Sequence, residues 1–184
     1  PTMGASGTQP VGNYSVVNPL QIPGLGLATI SNANLTVTGA GGANYRGFGS
    51  TIQPTSGKFY WEVTVTNLST DAGIGLYDTT LSSSLYNLYT ANGNKNLNGT
   101  STAYGASYTT NDVIGVAWDV GGGTLTFYKN GVSQGVAASG LSTAWQPSGY
   151  VYSSTSFALN FGQRPFAQAV PSGYVALCTT NLPD

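Results

Sequence analysis

The chain has 184 residues, enough for one domain with a sizeable core. Only 11 of them are charged, five basic against six acidic, for a formal net charge of -1, and there is no histidine. A Ser-His-Asp triad, a Cys-His pair and an imidazole metal site are therefore excluded, and five cations neutralise too few phosphates for nucleic acid to be a partner.

Gly, Ser, Thr and Asn supply 83 of the 184 residues, so hydroxyls and amides rather than charges must solvate the surface. Low charge density also weakens repulsion between copies, which suits a protein built into an assembly. A 40% hydrophobic fraction with 12 Tyr, 6 Phe and 3 Trp argues against disorder. The single cysteine, Cys178, has no intrachain partner and is expected to be a small buried hydrophobe. No apolar run approaches the ~20 residues of a membrane-spanning helix, so no membrane insertion is expected. The chain starts at Pro1 without a signal-peptide pattern, and is expected to be processed or cut from something longer.

In chain order, residues 1–24 read as an arm, punctuated by Pro1, Pro10, Pro19 and Pro23. Val16, Val17, Leu20 and Ile22 suit a strap along the domain surface at least as well as a linker. Residues 25–184 form the domain, and its signals are those of strands. Leu35 to Val37 is a short candidate, followed by a glycine turn at Gly39 to Gly42. Lys58 to Asn67 is the clearest strand: Phe59, Trp61, Val63 and Val65 share one face, Tyr60, Glu62, Thr64 and Thr66 the other. Gly73 to Tyr77 is a further candidate, and Asp78 to Tyr108 reads as one long irregular stretch. Asp112 to Gly135 reads as a three-strand meander. It turns at Gly121 to Gly123 and at Asn130-Gly131, the dipeptide a type I′ hairpin turn prefers. Val151-Tyr152, Ser156 to Gly162 and Tyr174 to Leu177 close the series. About nine to twelve short strands with turn residues between them predict an all-β, two-sheet antiparallel sandwich.

Chemistry-bearing residues are few. A glycosidase needs two carboxyl groups flanking the scissile bond. Glu62 stands alone on its strand, and Asp112 and Asp119 sit near strand ends, so structural roles are expected for all three. Asp71, Asp78 and the Asn92 to Asn98 cluster lack calcium-loop spacing, and no metal or cofactor is expected. Asn-x-Ser/Thr occurs at Asn13, Asn34, Asn67 and Asn98, as often as chance allows in this composition. The best functional candidates are polar and aromatic residues in the connections: Tyr45 and Arg46, then Tyr86, Tyr89, Asn92, Lys95 and Tyr104, and finally Trp145. Tyrosine beside Asn and Ser is the chemistry of adaptable binding loops. Exposure is expected for Tyr86 and Tyr89, an even balance between loop and core for Trp145, and core positions for Trp61 and Trp118.

Four segments carry a family resemblance. Residues 57–63 (GKFYWEV), 112–119 (DVIGVAWD), 123–132 (GTLTFYKNGV) and 159–166 (LNFGQRPF) follow one another as the corresponding motifs do in SPRY domains. The resemblance implies a bent, concanavalin-like jelly-roll sandwich that binds partners through loops at one end and is not known for catalysis. The low charge, the Gly/Ser/Thr-rich loops and the tail from Pro171 to Pro183 look most like SPRY-type domains of bacteriophage structural proteins. The expected function is a non-catalytic binding module on a virion surface, a decoration, fibre or tail-associated protein that presents tyrosine-bearing loops to a host surface glycan or protein. Other virion proteins, or further copies of the same chain, would be its neighbours. A purely structural subunit that cements or oligomerises is the alternative, and a polysaccharide hydrolase a more distant one.

Overall fold

A computed structural model describes residues 12–20, 25–78, 86–141 and 144–183. It is an all-β sandwich of two antiparallel sheets, as expected, and the one helical element among the described residues is a 3-10 turn at Thr179–Asn181. The first sheet runs in the order β1 (Thr29–Ser31), β2 (Thr36–Thr38), β13 (Ser156–Asn160), β4 (Lys58–Asn67), β9 (Val113–Asp119), β10 (Thr124–Lys129) and β11 (Val132–Ala138). A short parallel strand, β14 (Val175–Ala176), joins it beside Phe59 and Tyr60 of β4. The second sheet runs β3 (Tyr45–Gly49), β12 (Trp145–Tyr152), β5 (Ala72–Asp78), β6 (Tyr86–Thr90), β7 (Asn94–Leu97) and β8 (Thr100–Ala103).

The period-2 alternation of β4 builds the core. Phe59, Trp61, Val63 and Val65 are all buried, together with Ile114, Val116 and Trp118 of β9, Leu125 and Phe127 of β10, and Phe157 and Leu159 of β13. Phe48, Ala72, Ile74, Leu76, Tyr89 and Val151 face them from the second sheet. The hairpin at Asn130-Gly131 has φ of 50° and 81°, the left-handed pair a type I′ turn requires.

Two features go beyond the sequence reading. The stretch from Asp78 to Tyr108 is not one irregular loop, since β6, β7 and β8 form a meander within it. The turn between β7 and β8 is another Asn-Gly pair, Asn98 at φ 51° and Gly99 at φ 89°. Residues 79–85 of that stretch lie outside the described residues. Second, the mixed face of β4 is covered at Tyr60 and Glu62, while Thr66 further along it is exposed. Tyr60 and Glu62 are 1% and 2% exposed, because residues 166–168 lie across them, Phe166 against the Tyr60 ring and the Ala167 and Gln168 amides on Glu62. The arm includes a strap, one of the two readings its apolar residues allowed. Val17 is fully buried, the Ser15 amide donates to the Leu177 carbonyl at 3.0 Å, and the Val17 amide donates to the Asn34 carbonyl at 2.9 Å. Residues 1–11 and 21–24 of the arm are outside the described residues. Among the described residues no helix is long and apolar enough to cross a membrane.

Candidate functional site

Cross-strand partners share a face, so the registers of the second sheet fix its outer surface. Ser148 lies opposite Gly49 and Gly75, Tyr150 opposite Gly47 and Gly73, and Tyr152 opposite Tyr45. Leu88 continues the row from Gly75 to Asn96, and Tyr77 pairs with Tyr86. Ile74 and Leu76, alternating with Gly73 and Gly75, are buried on the inner side. The outer face is thus nearly bare along β5 and walled by tyrosines.

The result is a trough of about 430 Å³, within the range of small-ligand sites. Tyr45, Tyr77, Tyr86 and Tyr150 line it, with Leu25, Leu88, Ser148, Gly149, Asn96 and Asp71. The tyrosine placement needs the glycines: a Cβ on Gly73 would come within 2.4 Å of the Tyr150 ring, so only glycine lets that ring lie against the sheet. Tyr45 packs edge-on against Tyr150 at 5.3 Å between ring centroids and tilted against Tyr152 at 4.6 Å.

One carboxylate organises this end of the trough. Tyr45 donates its hydroxyl to Asp71 Oδ2 at 3.1 Å, and Tyr150 donates to Asp71 Oδ1 at 3.2 Å. The Ala72 amide also donates to Oδ1, at 2.8 Å. Burial and then the adjacent Asp71 charge push both phenols above the usual tyrosine range. They stay protonated at neutral pH and act as donors.

The anticipated site residues separate accordingly. Tyr45 and Tyr86 line the trough. Arg46, one residue along β3, sits on the opposite side of the strand, over Gly26. Tyr89 is fully buried rather than exposed, because it is an inward position of β6; its hydroxyl donates to the Ala106 carbonyl and its ring packs on Phe127. Asn92 forms the turn after β6, its Oδ1 accepting from Thr90 Oγ1 at 2.8 Å and from the Asn94 amide at 3.1 Å. Lys95 points inward and donates to the Ala137 carbonyl at 2.8 Å, with its ammonium 5.7 Å from the Tyr104 ring centre. The Tyr104 hydroxyl is taken by the Gly135 carbonyl. Burial raises Tyr89 and Tyr104 to about 12. Trp145 is a core residue at the start of β12, and with Lys95 it lines a second cavity, of about 440 Å³, at one end of the sandwich.

Asp71, Tyr77, Ser148 and Tyr150 were missed as site residues. The alternation of glycine with Ile74 and Leu76 was the available signal, since it marks a strand with one bare face.

Glu62, Asp112 and Asp119 are structural. Glu62 accepts the Ala167 and Gln168 amides, each at 2.8 Å, and the Tyr60 hydroxyl at 3.2 Å. Asp112 pairs with Lys129 at 3.2 Å and accepts from the Thr109 amide and the Asn130 side chain; Asp119 pairs with Lys58 at 3.1 Å and accepts from the Gly122 amide. Among the described residues no group of three or more His, Cys, Asp or Glu is placed to hold a metal ion. Cys178 is fully buried, as expected.

The sequence model of the SPRY domain matches residues 58–164. The structure is similar to that of the SPRY domain of human HERC1, with a TM-score of 0.63 and 21% sequence identity over 75% of this chain and 94% of that one. At that identity the likeness establishes the fold alone.

Proposed function

The chain belongs to the SPRY domain family, and we propose that it is a recognition module that holds a partner in the tyrosine-walled trough and makes or breaks no bond. The trough itself carries this reading: side-chain-free strand positions, amphipathic rings and an oriented carboxylate meet on one outer sheet face. Rigid aromatic walls lose little entropy on binding, so contact area on them is retained as affinity. The recognition surface is a sheet face rather than the loop ends. The setting we propose is a bacteriophage virion, with a host-surface protein as the partner and a host glycan as the second choice. The 6% charged fraction supports an assembly-borne setting, since crowded copies repel one another weakly.

A purely structural subunit is the second reading, and the edge strand β11 favours it. Val132 and Val136 are 66% and 58% exposed there, on a strand with one side unpaired within its sheet. Labelled protein applied to tiled host-surface peptides and to a glycan array separates the two. Binding that disappears in a Tyr45→Ala, Tyr86→Ala double variant supports recognition through the trough. Binding that survives the double variant removes the trough from the reading, and self-assembly abolished by Val132→Lys with Val136→Lys in a protein that captures nothing on either array supports the structural subunit.

A further inference from the structure

Among the described residues Asp71 pairs with no cation. Glu62 is satisfied by backbone amides, and Asp112 and Asp119 are paired with Lys129 and Lys58. Asp78, later on β5, is buried and paired in register with the core residue Trp145, on the inner side of the sheet. Asp71 alone lines an open trough, and its partners there are neutral phenols.

The cations lie elsewhere. Lys95 is tied to the Ala137 carbonyl, Arg164 donates to the Leu159 carbonyl at 3.3 Å, and Arg46 sits on the far side of β3. The trough therefore carries one negative charge and no positive one among its described lining residues. Asn96, at its other wall, carries a side-chain oxygen that is buried and accepts no hydrogen bond.

Resting on the reading of the trough as a recognition site, we infer that it accepts a basic side chain, an arginine, of a partner protein. A guanidinium offers five N–H donors and no acceptor, which is what this lining asks for. Its flat face stacks on a phenol ring while one edge points at a carboxylate. Tyr45, 44% exposed, supplies such a ring within hydrogen-bonding distance of Asp71. Both oxygens of Asp71 already accept phenol or amide hydrogens, which orient the carboxylate without neutralising its charge. An anionic partner segment is disfavoured by the same charge, and a neutral sugar leaves it uncompensated.

The test uses the whole chain and a short peptide carrying one arginine, beside a twin with citrulline, which keeps the shape and loses the charge. Binding is followed by calorimetry and by NMR shifts of the Tyr45 and Tyr150 ring protons. The arginine peptide is expected to bind about tenfold or more tighter and to weaken as salt rises from about 0.05 M to about 0.5 M. Asp71→Asn should bring the two peptides level. The citrulline comparison needs no variant, so it stands even where Asp71→Asn fails to fold. Equal binding of the two peptides, no binding of either, or an arginine preference that survives Asp71→Asn overturns the inference. A neutral oligosaccharide that shifts the same rings while both peptides fail also overturns it, yet leaves the recognition site standing. Arginine binding unchanged in Tyr45→Ala would remove the trough from the account altogether.

Discussion

Replacing Glu62 by glutamine tests whether the one buried acid of β4 is a latch. Its two carboxylate oxygens hold the amides of Ala167 and Gln168, each at 2.8 Å, across a separation of more than 100 residues. Glutamine keeps one acceptor oxygen and turns an NH₂ group toward the other amide, so one part-buried N–H loses its partner and faces a second donor. A hydrogen bond to a charged group contributes about 1.5–3 kcal/mol, and a buried donor left unpaired costs about 1–3 kcal/mol. The two ranges describe one loss counted in two ways, so the expected destabilisation is about 2–3 kcal/mol. Each kcal/mol shifts the melting temperature of a domain of this size by about 2–4 °C, which places the drop near 5–10 °C. Differential scanning calorimetry reads the drop. Amide hydrogen exchange should show lost protection at residues 167 and 168, with the β9–β10 hairpin unchanged. A variant with wild-type melting temperature and wild-type protection at both amides would refute the latch.

Gly73→Ala should cost about 1–3 kcal/mol by overpacking, because its Cβ would sit 2.4 Å from the Tyr150 ring; urea melts measure the cost, and ring-proton shifts of Tyr45 and Tyr150 report the displaced wall. Acid should destabilise the fold through Asp112 and Asp119. Burial opposes ionisation of both, but hydrogen bonds from Asn130, Thr109 and Gly122, together with Lys129 and Lys58, hold their carboxyls below the usual range. A folded-state value below the unfolded one gives stability that is complete above the unfolded pKa of about 3.9 and is lost as pH falls through the folded value. Melting temperature followed down from pH 6 should therefore fall off below about pH 4, and less steeply in Asp112→Asn with Asp119→Asn. Cys178, fully buried with its Sγ 3.2 Å from Thr180 Oγ1, should react with an aromatic disulfide reagent only at the rate of opening; prompt reaction in native buffer would contradict that placement.

Much of the sandwich was legible in the chain. Strand β4, its inward set from Phe59 to Val65 and the Asn130-Gly131 turn follow from local rules: a pleat of period two and a dipeptide that tolerates left-handed backbone. The meander of β6 to β8 was not read, although Asn98-Gly99 carries the same turn signal. Its strands are short and their residues polar, so hydrophobic periodicity was weak there. The same weakness made Tyr89 and Lys95 look like loop residues, whereas pairing turns both inward.

By itself, then, the order of residues determined the sheet class, the inner face of each strong strand, the shortage of charge and the absence of imidazole chemistry. These depend on composition or on neighbours a few positions apart. Tertiary structure alone decided that the second face of β4 would be roofed over at Tyr60 and Glu62 and that Glu62 would be consumed in holding the roof. It also decided that Tyr45, Asp71 and Tyr150 would meet. Asp71 and Tyr150 lie 79 residues apart, and their contact exists because β12 pairs with β5 in one register, which places Tyr150 beside the bare Gly73. A slip of one residue would turn Tyr150 into the core and Gly149 out to solvent. The trough is therefore a property of strand pairing, which no local pattern encodes.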